Sequence, residues 1–281
     1  MITVVDRKED VVHSEIAPAG IDVTTPHPAR RYDYWLGGEN NFEADRESAE
    51  LVAEAFPTIR FAALENRKFL RRAVTHLTEE AGVRQFLDIG AGLPTAGNVH
   101  EIAQGIAPES RIVYVDNDPI VLIHARTLLD SAPEGATAYL EADVRTPETI
   151  LSHPDLLATL DLSRPVALML VAVMHFITDD DRPYELVRQL CKALAPGSYL
   201  VMTHATDDHL TQEDRAENEE ANKRSGIPFR LRSTAEFSRF FDGLELMPPG
   251  VSSVMTWRPE TWHAHPRPEA VSMLSAVGRI P

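Results

Sequence analysis

The stretch Phe86-Leu87-Asp88-Ile89-Gly90-Ala91-Gly92 constrains the fold more than any other part of the chain. Phe86, Leu87 and Ile89 form a short apolar run of the kind that makes a buried strand. Gly90 and Gly92 end that run, because a residue without a Cβ reaches φ > 0 and lets a ligand approach the backbone. A helical pattern then resumes at Val99, Ile102, Ala103 and Ile106. Strand, glycine turn and helix in this order form the phosphate- or nucleoside-binding corner of an open α/β sheet.

The pattern after Val83 repeats that unit. Strands are expected over about 84–90, 111–116, 136–141, 165–172 and 198–203, alternating with helices at 95–105, 119–131, 146–159 and 181–195. Such alternation implies parallel strands joined by right-handed crossovers. The fourth strand is apolar throughout, as a central strand buried on both faces should be. A charged helix over 211–224, a helix near 233–241 and two β-like stretches at 244–257 and 270–278 follow, the last two split by a loop at 258–269.

The region before the sheet is different. Residues 1 to about 27 read as a loose arm broken by prolines. Then Arg30-Arg31-Tyr32-Asp33-Tyr34-Trp35-Leu36-Gly37-Gly38 places three aromatics within four residues, followed by Asn40 and Asn41. This is either a short helix packing its aromatics on the core and ending at Gly37, or a lid that turns aromatic faces and asparagine amides towards a ligand. Helices over 44–55 and 59–81 complete an N-terminal extension spanning 1–82. Arg67, Lys68, Arg71 and Arg72 on the second are expected to be a solvated face.

Composition narrows the function. The 281 residues carry a net charge of −16, which argues against non-specific nucleic-acid binding. No run is long and apolar enough for a membrane helix, and the charged first residues carry no secretory signal. The single cysteine, Cys191, sits on an amphipathic helix and is expected to be a small buried residue, in keeping with a cytoplasmic protein.

Polar residues fall at successive strand ends. Asp116 closes the second strand, where a carboxylate can chelate a ribose diol. Asp118, two residues on, suits the N-cap of a helix with Pro119 at its first position. Asp143 and Val144 lie at the end of the third strand, Val171 and His175 at the end of the fourth, and His204 at the end of the fifth. His175 could act as a general base or position a cofactor. His204, Asp207, Asp208 and His209 do not have zinc spacing and are a poor set for Mg²⁺, so a polar loop is expected and no metal. A dinucleotide site would place a third small residue where Thr95 stands, which disfavours a nicotinamide-dependent oxidoreductase.

The order Asp88-x-Gly90-x-Gly92 resembles the first motif of class I S-adenosylmethionine (SAM) dependent methyltransferases. Together, 30–38 with Asn41-Phe42 and 44–46, 86–95 with 98–101, and Val115-Asp116-Asn117-Asp118-Pro119 resemble the Methyltransf_19 (DUF574) family. The resemblance implies a Rossmann-like, seven-stranded, mostly parallel sheet with an antiparallel last strand, helices on both faces, and residues 206–232 inserted as a cap. It implies SAM as cofactor. Gly90, Ala91 and Gly92 would pass along its methionine part, and Asp88 would hold nearby amines or loop amides. Asp116 would hold the ribose, Asp143 the adenine amine and the Val144 N–H a ring nitrogen. Tyr32, Tyr34, Asn41, Asn117 and Val171 complete the expected cofactor set, with His175 and His204 as the catalytic candidates. The expected reaction is methyl transfer to O or N of a small molecule; a non-catalytic SAM-binding module is the alternative.

Overall fold

A computed structural model describes residues 22–128, 131–259 and 270–281. The start of the expected arm, the end of the helix expected over 119–131 and most of the loop expected over 258–269 lie outside the described residues.

Five parallel strands form the centre: β1 Gln85–Ile89, β2 Arg111–Asp116, β3 Ala136–Glu141, β4 Ala167–Leu170 and β5 Tyr199–Ala205. Near the C-terminus come β6 Glu245–Leu246, β7 Ser252–Ser253 and β8 Met273–Arg279. The sheet order is β3-β2-β1-β4-β5-β8-β6, with β7 also on β8, and β8 runs antiparallel to β5. There are thus eight strands where seven are expected; the additional one is the two-residue β7, opposite Ser275 and Leu274. The order reverses between β1 and β4, the switch point at which an open sheet leaves a crevice beyond its strand ends.

Successive side chains of a strand point to opposite faces, and both faces here are apolar. Leu87, Ile89, Val113, Val115, Leu168 and Leu170 enter one core. Phe86, Ile112, Tyr114, Ala167 and Met169 enter the other. The fourth strand is shorter than the expected 165–172, because Ala172 takes a left-handed backbone with φ 59 and turns the chain across the sheet edge.

Helices cover both faces. α1 Pro28–Trp35, α2 Glu43–Ala55 and α3 Ile59–Glu79 precede the sheet; α4 Val99–Ile106 and α5 Pro119–Leu128 follow β1 and β2. α4 begins after the expected position because Asn98 and Glu101 form a reciprocal cap, with Glu101 Oε2 accepting the Asn98 N–H at 3.1 Å. The helix expected over 146–159 is two helices, α6 Pro147–Leu151 and α7 Pro154–Thr159, because a proline cannot continue a helical hydrogen-bond ladder. α8 Pro183–Lys192 joins β4 to β5, and its Cys191 is buried as expected. After β5 come α9 Gln212–Arg224, capped by Thr211 and buried only at Ala221, and the short α10 Thr234–Ser238. α9 packs against α2, so the N-terminal helices and the segment after β5 meet above the crevice. Among the described residues no helix is long and apolar enough to cross a membrane.

Candidate functional site

A cavity of about 390 Å³ opens beyond the ends of β1, β2, β3 and β4, roofed by α1, α3, α9 and the loop after α9. The glycine turn forms its floor. Gly90 and Gly92 have φ of 77 and 67, and a Cβ on Gly90 would collide with the Val173 side chain. Glycine is therefore required at position 90 twice over, by the backbone conformation and by the closeness of the β4 loop. The turn is held from the next strand: Asp116 Oδ2 accepts the Gly92 N–H at 2.8 Å, and Asp116 Oδ1 accepts the Asp118 N–H at 3.0 Å. Asp118 also caps α5, its Oδ1 accepting the Ile120 N–H at 3.0 Å.

Two buried carboxyls face this cavity. Burial pushes Asp88 up to about 7, with Arg67 opposing the rise and Asp116 adding to it. Burial also raises Asp116, against the two backbone N–H groups it accepts. Farther along the edge, Asp143 accepts from the Arg145 N–H at 2.8 Å and from Asn117 Nδ2 at 3.0 Å. Asn117, Asp143 and Val144 all line the cavity.

The β4 edge supplies Val171 and His175, both in the lining. His175 is buried between the Phe176 and Phe229 rings, at 4.3 and 4.8 Å between centroids. Burial first, then the charges of His204, Arg31 and Arg232, hold its imidazole well below the usual histidine range. The ring is neutral at physiological pH, and its Nδ1 has no partner.

The structure does not bring every expected residue to the cavity. His204 lies outside the lining, fully buried beneath it, with both ring nitrogens occupied. Its Nδ1–H donates to the Ala205 carbonyl at 2.7 Å, which leaves Nε2 to accept from Arg232 Nη1 at 2.9 Å. Burial brings this imidazole down to about 3. Arg232 also donates to the carbonyls of Met174 and Ile177 and to Asp179 Oδ1, so it fastens the chain after β5 to the chain after β4.

On α1 the expected set divides for a geometric reason. Residues two apart on a helix face different directions. Tyr32 lines the cavity, its hydroxyl donating to the Ala63 carbonyl and accepting from Asn66 Nδ2, each at 3.0 Å. Tyr34 points away, donates to Glu50 Oε1 at 2.6 Å and stacks under Arg60. Asn41 is also outside the lining; its Nδ2 donates to Asp33 Oδ2 and the Gly38 carbonyl, both at 2.9 Å, and closes the turn after α1. The aromatic run is thus a short helix with Trp35 in a small core of its own, and only part of it reaches the cavity.

Sequence reasoning missed several residues. Arg67 and Arg72, read as solvated, instead donate to backbone carbonyls of Gly97 and Trp257, at 3.0 and 2.9 Å. Arg67 lines the cavity, as do Arg31 and Phe229. The helical period of α3, which puts Arg67 on the side of the buried Ala63 and Leu70, is the signal that could have found the first. Phe229 and Arg31 depend on contacts between distant segments.

The sheet order, the antiparallel β8 and the acidic residues at three successive strand ends define a SAM-dependent methyltransferase of class I architecture. Within that class the chain belongs to the S-adenosyl methyltransferase family Methyltransf_19, whose model matches residues 14–281. It is similar to a DUF574 family protein from Streptomyces avermitilis, at 46% identity and a TM-score of 0.89, over 92% of this chain and 99% of that one. A structure from Thermobifida fusca is 42% identical, with a TM-score of 0.85, over 95% and 99% of the two chains. An O-methyltransferase family protein from Burkholderia thailandensis, at 14% identity and a TM-score of 0.52 over 83% and 62%, shares the fold. The search of curated proteins finds no match.

Proposed function

We propose that this protein binds SAM in the crevice and directs its methyl group to an oxygen or nitrogen of a small molecule. One observation carries the reading: Asp88, the glycine turn, Asp116, the Asp143–Val144 pair and His175 converge on a single cavity. The residues fit the cofactor. The backbone of Gly90, Ala91 and Gly92 lines the cavity directly, and two buried carboxyls raised above their ordinary range favour arriving hydrogen-bond donors. Asp88 would take the amine of the methionyl part, and Asp116 the ribose hydroxyls. Both Asp116 oxygens already accept a backbone N–H, but a carboxylate oxygen has a second lone pair for each hydroxyl. Asp143 and the Val144 N–H would meet the adenine edge.

When bound, SAM supplies a methyl group already activated on a sulfonium. The chain has therefore to align the acceptor and exclude water. Val171, Phe176, Ile227 and Phe229 give that end of the cavity apolar walls, and Arg31 of α1 with Asn218 and Asn222 of α9 are the polar groups of its roof. His175 is too weak a base, in its buried neutral state, to hold a proton at neutral pH. As a neutral ring in the cavity wall it would instead orient the acceptor O–H or N–H, and so the lone pair that attacks.

Incubation with SAM carrying a labelled methyl group and a fractionated small-molecule extract tests the proposal. Label appearing in a small molecule supports it. SAH binding without transfer to any fraction would contradict it and leave a SAM-binding module.

A further inference from the structure

Arg31 lines the cavity, yet it is only 1% exposed. Its neighbour Arg30 is almost as buried but is matched, with Asp118 Oδ2 at 3.1 Å and Asp45 Oδ2 at 3.6 Å. Arg31 has no such match among the described residues. Its Nη1 reaches two hydroxyls at long range, Ser48 Oγ at 3.4 Å and Ser225 Oγ at 3.3 Å. Both serines commit their own hydrogen elsewhere, Ser48 to the Ser225 carbonyl at 2.7 Å and Ser225 to the Asn222 carbonyl at 2.8 Å. They therefore present lone pairs only, and hold the guanidinium by one corner. Nε has no partner, and among the described residues Nη2 donates to none. Burial, opposed by Asp45, brings this guanidinium down to about 10, so it remains a cation at neutral pH.

The one carboxylate that acts on Arg31 among its described neighbours, Asp45, pairs with Arg30 instead. A buried cation with no contacting counter-charge is costly, and that cost is relieved when the opposite charge arrives with a ligand. Nη2 is the corner of the guanidinium that no described residue occupies, and a carboxylate oxygen arriving there would make a charge-assisted hydrogen bond. The place is also informative. Arg67 acts electrostatically on Asp88, at the glycine-turn end. Arg31 acts on His175, at the β4 end, and its guanidinium lies 5.9 Å from the Phe176 ring centroid.

We propose that Arg31 is the anion-recognition residue of the acceptor half of this cavity, and that the methyl acceptor is a small, otherwise apolar molecule bearing a carboxylate. The inference rests on the methyltransferase reading above. The net charge of −16 repels anions at long range, so the selection is made by this short-range contact. The apolar remainder of the acceptor packs against Phe176, Ile227 and Phe229.

The test is calorimetric and uses the full chain. SAH is titrated first into the wild-type protein; absence of binding overturns the methyltransferase reading and this one with it. With SAH saturating, a panel of small monocarboxylates, benzoate and 4-hydroxybenzoate among them, is then compared with the corresponding neutral amides. We expect at least one carboxylate to bind about tenfold or more tightly than its amide. Arg31→Met removes that preference, Arg31→Lys keeps part of it, and SAH affinity stays within about twofold in both. If the methionine variant does not fold, the wild-type comparison and the lysine variant decide. Carboxylates and amides that bind alike, or not at all, overturn the proposal while leaving SAH binding intact. A loss of SAH affinity in the Arg31 variants, with carboxylate preference retained, also overturns it by assigning Arg31 to the methionyl carboxylate.

Discussion

Asp116 Oδ2 accepts the backbone N–H of Gly92 at 2.8 Å, so the carboxylate at the end of β2 fixes the glycine turn at the end of β1. Its other oxygen accepts the Asp118 N–H at 3.0 Å. Asp116→Asn would set an amide N–H₂ against one of these N–H groups. We expect a loss of about 1–3 kcal/mol in stability from the unsatisfied donor. SAH affinity should fall roughly 10- to 100-fold, since the ribose loses a charged acceptor. Urea unfolding and calorimetry measure the two effects; an unchanged SAH affinity would contradict the role given to Asp116.

Asp88 gives the protein a pH dependence of unusual sign. Its folded-state value is pushed from the ordinary 3.8 to about 7. Between about pH 4 and 7 the folded protein therefore keeps a proton that the unfolded chain has released. This group's contribution to stability falls as pH rises through that window, by up to about 4 kcal/mol at 1.36 kcal/mol per unit, and is level above it. Asp88→Asn removes the fall, so thermal melts of variant and parent should diverge in favour of the variant as pH rises from 4 to 8. Parallel curves would show that Asp88 titrates normally. With Asp88 pairing the cofactor's amine, SAH affinity for the parent should rise as pH approaches about 7 and level off above it.

Gly90 is needed for two separable reasons. Gly90→Ala puts a Cβ on a backbone with φ 77 and drives it into Val173. The expected cost is about 2–4 kcal/mol, roughly half from the left-handed backbone and half from the collision. Adding Val173→Ala should recover the collision part only. Chemical unfolding of the two single variants and the double variant provides the check; simple additivity would rule out the contact as the cause.

Arg232 joins segments that are far apart in the chain. Arg232→Met strips donors from the Met174 and Ile177 carbonyls and from His204 Nε2. Its pair with Asp179 counts for little, since that carboxylate is mostly exposed and screened by solvent. The loss should be about 3 kcal/mol, arising mainly from the buried acceptors. A melting temperature equal to that of the parent would contradict this bracing role.

The parts of the fold legible in the sequence are those fixed by local pattern. β2 and β3 fall at 111–116 and 136–141, as their apolar runs predict. Strand-end residues Asp88, Asp116, Asp143 and His175 reach one cavity because a parallel sheet sends all its strand ends to one edge. What was not legible depends on contacts that local patterns do not encode. Tyr34 and Asn41 left the cavity because helix phase and the Asp33 turn direct them elsewhere. His204 left it because Arg232, distant in sequence, occupies its ring. The setting of Arg31 depends on Ser48 and Ser225, 17 and 194 residues away in the chain.

Whether the strand-end crevice is a SAM site is tested most directly by a calorimetric titration of the wild-type protein with SAH. Saturable binding at one site per chain is expected, weakened by Asp116→Asn and strengthened as pH rises to about 7. A folded protein that releases no heat with SAH or SAM, and whose melting temperature neither ligand shifts, would contradict it.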